Sequence, residues 1–179
     1  EVPVGGKVGG TKAPDLNRNI FLEAITEKDK EAIEIGKNMG VTNYALSFAN
    51  CRQDVESMRL LIGKKSKLIS KIESIPGLSN LENILEVTDA ILIDRGDLSR
   101  QVPIEKIPFL QRRIISTARS KNTPAYVATN LLESMIGFDE PNRAEVNDII
   151  STLLMGSDGL VLAAETAVGK FPIECVRMI

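Results

Sequence analysis

Residues 90–98 read Ala90-Ile91-Leu92-Ile93-Asp94-Arg95-Gly96-Asp97-Leu98: four apolar residues that run directly into three charges and a glycine. The apolar run is too short for a helix and shows no polar–apolar alternation, so it reads as a strand covered on both faces. The same pattern recurs along the chain. Tyr44-Ala45-Leu46-Ser47-Phe48, Leu68-Ile69-Ser70-Lys71-Ile72-Glu73, Ala125-Tyr126-Val127-Ala128-Thr129 and Gly159-Leu160-Val161-Leu162-Ala163 are each short, mostly apolar, and followed by a helical pattern. Five strands each followed by a helix predict an α/β fold with a parallel sheet. An open doubly wound sheet and an arc of a (β/α)8 barrel both fit that pattern. The position of the polar residues decides between them. Ser47, Lys71 and Glu73, Asp94 to Asp97, Thr129 and Glu165 all sit at the carboxyl ends of their strands. A doubly wound sheet concentrates its site at one switch point, whereas a barrel uses the end of nearly every strand. The sequence therefore predicts a TIM-type (β/α)8 barrel, of which only about five βα units are present.

Helix boundaries follow from capping residues. Thr26 ahead of Glu27 and Asp29 predicts an N-cap for a helix that carries Ile33 and Ile35 and stops at Gly40. A second helix runs from about Arg52 to Gly63. Ser79 with Glu82 predicts a capping box, one long helix is expected through Leu110, Ile114 and Ile115, and Asn142 with Glu145 caps another. A last helix starts after Pro172. Residues 1–12, EVPVGGKVGGTK, mimic a phosphate loop, but Gly10-Thr11-Lys12 reverses the Lys-Thr order such a loop needs, so the segment reads as a hairpin end or linker.

Composition removes several function classes. The chain has 179 residues, 43% apolar and 26% charged, with a formal net charge of −2. That balance gives no bulk attraction to nucleic acid or to an anionic membrane, and no segment approaches a spanning length. Cys51 and Cys175 have no paired spacing, which suits reduced thiols in the cytoplasm. There is no histidine, so histidine triads and histidine metal sites are excluded. The chain begins at Glu1 and ends at Ile179 inside a helical pattern, and is expected to be a piece of something longer or a partner for another chain.

The chemistry lies at the strand ends. Lys71 and Glu73 are two residues apart on a strand and so share a face with Ile69. Burying both is costly unless each finds a partner, and a plain ion pair is the simplest account. On the next strand Gly96 permits a tight turn and close backbone approach, and Asp97 is placed beside Glu73. Two carboxylates converging without histidine or cysteine favour a hard cation such as Mg2+, completed by water and phosphate. A helix opening at Leu98 would add an anion site on the amides of Gly96 and Asp97. Thr129 is suited either to capping the next helix or to bonding a substrate carboxylate.

Taken in order, Lys71-Ile72-Glu73, Arg95-Gly96-Asp97-Leu98, Ala128-Thr129 with Leu132-Glu133-Ser134-Met135, Arg143-Ala144-Glu145, and Glu165-Thr166-Ala167 with Gly169 and Pro172 resemble the successive motifs of pyruvate kinase. Thr26-Glu27-Lys28-Asp29 and Ser47-Phe48 fit as well, so the resemblance spans residues 26–179. It implies a barrel with a lid inserted after its third strand. Residues 1–12 would be the tail of that lid, and residues 13–179 the C-terminal portion of the catalytic barrel, strands four to eight. It also implies phosphoryl transfer from phosphoenolpyruvate to ADP, giving pyruvate and ATP in glycolysis. Lys71 would steady the phosphoryl group and the developing enolate, and Glu73 and Asp97 would hold Mg2+ or Mn2+. The amides of Gly96 and Asp97 with the Thr129 hydroxyl would seat the substrate carboxylate. K+ is implied by the family, with its ligands outside this chain, and so is a homo-oligomer, a tetramer in the family, in the cytoplasm.

This chain departs from the family pattern at several positions. Asp94 stands where Ala is usual, Ser99 for Gly, Gln101 for Glu, Asn50 for Arg, Asn142 for Thr, and Ala163-Ala164 for Ser-Gly. The last change removes a hydroxyl implicated in relaying the enolate's proton, and the extra carboxylate at Asp94 would either tighten the metal or repel the phosphate. Two other functions remain open on these residues: a drifted non-catalytic barrel that binds a ligand or partner, and a Mg2+-dependent lyase or aldolase acting on pyruvate enolate. Five strands cannot close an eight-stranded barrel, so the chain alone is expected to be inactive and to associate, or to be completed by missing segments of its own polypeptide or another subunit.

Overall fold

The computed structural model describes residues 22–179. The expected lid tail or linker at 1–12, and the barrel portion assigned to 13–21, lie outside the described residues. Helix α1 (Glu27–Asn38) opens on Thr26, whose side chain and Asp29 form a reciprocal capping box. Strand β1 (Asn43–Leu46) and helix α2 (Arg52–Ile62) follow, and α2 stops at Gly63 in the left-handed region, φ 82°. Then come β2 (Lys67–Ile72), the short helices α3 (Ile75–Ser79) and α4 (Leu81–Leu85), and β3 (Ala90–Asp94). Helices α5 (Arg95–Gln101) and α6 (Ile107–Ser120) lead to β4 (Ala125–Ala128). Helix α7 (Arg143–Leu154), β5 (Gly159–Val161), α8 (Ala164–Ala167) and α9 (Pro172–Met178) complete the order.

The five strands form one parallel sheet in the sequential order β1-β2-β3-β4-β5. A doubly wound sheet reverses direction at its switch point; this one never does. The strand starts also climb. Strand β2 begins level with β1, Lys67 opposite Asn43, and β3 begins two residues further along, Ala90 opposite Ile69. Strands β4 and β5 each begin one residue further, Ala125 opposite Ile91 and Gly159 opposite Tyr126. A mean climb of about one residue per strand is what a shear of eight over eight strands requires. The architecture is therefore a partial (β/α)8 barrel.

Side chains alternate across this arc as the pleat demands. Leu68, Ile72, Ile91, Ile93 and Val127 are fully buried and form one core with Val55 and Ile62 of α2, Ile84 of α4 and Ile114 and Ile115 of α6. On the other face Ile69, Leu92, Tyr126 and Val161 are half-buried. A smaller core of Leu131, Leu132, Met135, Ile149 and Cys175 packs beneath α7 and α9. Both cysteines are free thiols. No helix among the described residues is long and apolar enough to cross a membrane.

Two expectations about helices are overturned. Ser79 does not open a helix; it ends α3, which starts earlier because Ser74 accepts a hydrogen bond from the Gly77 amide and Pro76 fits the first turn. Asn80 then starts α4 without a side-chain cap. The single long helix through Leu110 is instead α5, an extended Val102, one turn of 3-10 helix at Ile104–Lys106, and α6. Pro103 explains the break, since it lacks an amide proton and forces the residue before it out of the helical region.

The register rests on a device repeated at the amino ends of β3 and β5. Before β3, Asp89 accepts from the Leu68 amide at 2.7 Å while its own amide donates to the Leu68 carbonyl. The hydroxyl of Thr88 lies 3.0 Å from the Leu68 carbonyl and 2.9 Å from that of Ala90. Before β5, Asp158 and Ser157 do the same to Ala125 and Gly159. A hydroxyl-Asp pair thus ties the start of one strand to its neighbour, twice. Burial pushes the Asp89 carboxyl up, but the Arg59 guanidinium at 2.6 Å and the Leu68 amide outweigh it and hold the group below the usual carboxylate range. A depressed carboxyl stabilises the fold above its unfolded pKa, and that contribution is lost as pH falls through its folded value. Asp89→Ala should cost about 1–2 kcal/mol at neutral pH, mostly from the orphaned Leu68 amide, since the half-exposed ion pair adds little. Urea unfolding should show the difference at pH 7 and a smaller one in acid.

Candidate active site at the strand ends

The carboxyl ends of β1, β2, β3 and β4 converge on one cluster. Lys71 and Glu73 leave β2 on the same face, as their spacing predicts. Lys71 Nζ lies 2.5 Å from Glu73 Oε1 and 3.2 Å from Asp94 Oδ2. Glu73 is 1% exposed, and its Oε2 accepts from the Phe48 amide at 3.2 Å, which brings in the loop after β1. Glu73 Oε1 has no well-angled hydrogen bond, and Lys71 is its electrostatic compensation. Burial drives the Glu73 carboxyl above its ordinary range, with Lys71 pulling it partly back. Burial also works against the Lys71 ammonium, but Glu73 and Asp94 together outweigh it and raise its pKa, so Lys71 is cationic at neutral pH.

Glu73, Asp94 and Asp97 each offer an oxygen, and these oxygens lie within 4.8 Å of one another. The donor set fits Mg2+ or Mn2+: three hard carboxylate oxygens in one compact cluster. Asp97 also pairs with Arg100 at 3.4 Å. The expected meeting of Glu73 with Asp97 is found, and Asp94 joins them.

Thr129 is not a helix cap. It and Asn130 follow β4 in the left-handed region, φ 70° and 53°. A β-branched residue there is strained by about 1–3 kcal/mol and needs its surroundings to hold it. Arg95 does so. Its guanidinium donates to the Thr129 carbonyl at 2.7 Å and the Asn130 carbonyl at 2.9 Å, and pairs with Asp148 of α7 at 2.6 Å. The twist aims Thr129 Oγ1 at Gly96, whose amide donates to it at 2.8 Å. A Cβ on Gly96 would lie 3.4 Å from both Thr129 Oγ1 and Asp94 Oδ1, so the glycine leaves these two oxygens close above the backbone.

The anion site expected on the Gly96 and Asp97 amides is already engaged from within. The helix there begins at Arg95, not Leu98, and Asp94 is its N-cap, accepting from the Asp97 amide at 3.5 Å. Asp94 Oδ1 lies 3.3 Å from the Thr129 hydroxyl. Arg95 and Asp148 were not picked out from the sequence. Their contacts join residues 53 apart, which the sequence does not show.

Other motif residues serve the scaffold. Glu145 accepts from the Ser134 and Asn142 amides and pairs with the Ser134 hydroxyl, locking the turn after β4 onto α7. Glu165, 2% exposed, accepts from the Ala163 and Leu132 amides. Ser47 is exposed beyond β1. The substituted positions have found local partners: Ser74 donates to Asn50, Ser99 donates to the Gly96 carbonyl, and Gln101 accepts from the Ile75 amide.

Comparison with known proteins identifies the family. The family described as "Pyruvate kinase, barrel domain" matches residues 1–176. Pyruvate kinase of Thermotoga maritima is 41% identical over 182 residues, covering 99% of this chain and 39% of that protein. Pyruvate kinase 2 of Synechocystis is 38% identical over 179 residues, covering 96% of this chain and 30% of the relative. Pyruvate kinase of Mycobacterium tuberculosis is 40% identical over 177 residues, covering 97% and 38%. The chain thus spans about two fifths or less of the length of the curated relatives it matches. With the ordered motifs on sequential strands of a partial barrel, the match shows that this chain belongs to the pyruvate kinase family.

Proposed function

We propose that the intact protein transfers the phosphoryl group of phosphoenolpyruvate to ADP, giving pyruvate and ATP as a glycolytic step in the cytoplasm. The observation that carries this reading is the convergence of Glu73, Asp94 and Asp97 around the cationic Lys71 at adjacent strand ends, beside Thr129 and Gly96. Residues 13–179 are read as the C-terminal portion of the catalytic barrel, strands four to eight, and residues 1–12 as the tail of the inserted lid. The rest of the barrel, the nucleotide contacts and the K+ ligands then belong to other segments, and the assembly is a homo-oligomer.

Phosphoryl transfer needs little covalent chemistry from the protein; it needs positioning and charge stabilisation. Glu73 and Asp97 would hold Mg2+ or Mn2+, which when bound supplies charge neutralisation at the phosphoryl oxygens. Lys71 holds its ammonium where the transferring group passes, and afterwards faces the enolate oxygen left on the three-carbon acid. Thr129 and the amides of Gly96 and Asp97 orient the substrate carboxylate. The Arg95 clamp keeps Thr129 aimed while substrate enters and leaves.

One observation favours a second reading. Ala163-Ala164 in place of Ser-Gly, together with Asp94, is the drift expected of a barrel that binds without turning over. A coupled assay for ATP formation by the intact protein decides between the two, and turnover is the expected result. Asp97→Asn should abolish Mn2+-dependent binding of phosphoenolpyruvate and leave the melting temperature within a few degrees; unchanged binding would remove the metal assignment. Lys71→Met should lower kcat by about 10²–10³-fold with little change in phosphoenolpyruvate affinity, because its interaction is made chiefly in the transition state. A Lys71 variant that loses stability and keeps kcat would mark the lysine as a structural ion-pair partner.

A further inference from the structure

Asp94 makes the contacts of a bound carboxylate. Its Oδ2 lies 3.2 Å from Lys71 Nζ, and its Oδ1 lies 3.5 Å from the Asp97 amide and 3.3 Å from the Thr129 hydroxyl, whose single proton also has the Ala128 carbonyl at 2.6 Å. These are three of the groups assigned above to an incoming anionic acid. The side chain is 11% exposed, so it is a largely buried fixture of the site and not a mobile surface acid. It is tied in twice, as the cap of α5 and as a partner of Lys71.

We infer that Asp94 is an internal competitor for the substrate's carboxylate and sets the affinity of this site for phosphoenolpyruvate. The inference rests on the reading of Thr129, Gly96 and Asp97 as the carboxylate seat. Two physical effects act in the same direction. A carboxylate can only accept hydrogen bonds, so Asp94 and the substrate carboxylate draw on the same donors. Asp94 also brings the cluster to three carboxylates against Lys71, and a like charge a few ångströms from an arriving anion repels it. Substrate must therefore displace Asp94 from the Asp97 amide and draw the Thr129 hydroxyl away from both Asp94 and the Ala128 carbonyl, and it does so with a divalent cation offsetting the charge. Binding is weaker, and more strictly dependent on the cation, than in a site with a small neutral residue at this position.

The other role open to Asp94, a third cation ligand, predicts the opposite sign. A lost ligand weakens the cation and the substrate that depends on it. A lost competitor tightens the substrate once the cation is in place. The present contacts favour competition, because both oxygens of Asp94 already face donors assigned to the anion.

The test is calorimetric titration of phosphoenolpyruvate into the intact protein and into Asp94→Asn and Asp94→Ala, each saturated with Mn2+ by its own prior titration. Asparagine caps a helix as well as aspartate does, so Asp94→Asn removes the charge and keeps α5 anchored. Asp94→Ala also frees the donors. The expected result is phosphoenolpyruvate binding roughly tenfold tighter in Asp94→Asn, and at least as tight in Asp94→Ala. Binding that is unchanged or weaker in both variants, while the unsubstituted protein binds normally, overturns the competitor role. Failure of all three proteins to bind phosphoenolpyruvate with Mn2+ present overturns the functional reading itself and this inference with it.

Discussion

The site is organised by one charge arrangement: the Lys71 ammonium held between Glu73 and Asp94 at the ends of two neighbouring strands. Buried carboxylates are costly unless compensated, and a buried lysine is equally costly without a counter-ion. Each therefore requires the others in place. That requirement reaches back along the strands, because a one-residue slip between β2 and β3 would turn Glu73 away from Asp94. The register is tied at the far end, where Asp89 and Thr88 join Leu68 to Ala90. Stability at one rim of the sheet and chemistry at the other are thus coupled by the rigid spacing of the strands between them.

A second layer holds the mouth of the site in a conformation the backbone does not favour. Thr129 and Asn130 occupy the left-handed region only because Arg95 takes their carbonyls and Asp148 anchors Arg95. The strain positions the Thr129 hydroxyl over Gly96, whose amide donates to it. Glu145 and Glu165 extend the support by satisfying amides of the turns after β4 and β5. Glu165, one of the polar strand-end residues of the sequence, thus serves to shape the loops. The Glu73, Asp94 and Asp97 cluster is the exception, and it fits a divalent cation by its donor chemistry.

Much of this was legible in the sequence because it is local. Runs such as Ala90-Ile91-Leu92-Ile93 specify strands, the polar residues at their ends specify the barrel over the open sheet, and the Lys71–Glu73 spacing places both side chains on one face. The N-caps at Thr26 and Asn142 are found as read, each as part of a reciprocal capping box. Ser79 misled because the same spacing of Ser and Glu occurs where Ser74 and Pro76 had already started a helix. Pro103 should have broken the long helix; the apolar periodicity beyond it masked the signal. The Arg95 clamp and the paired Asp89 and Asp158 ties could not be read, since their partners lie 21 to 53 residues away and only the fold brings them together. The internal blockade of the anion site by Asp94 was visible as a departure from the family pattern, but its direction follows only from the contacts.

The central claim is that the carboxylates at the ends of β2 and β3 hold a divalent cation beside Lys71. Anomalous diffraction from Mn2+-soaked crystals of the intact protein tests it directly. The account predicts one strong manganese peak contacting Glu73 and Asp97. A map with no peak there at saturating Mn2+ would contradict it.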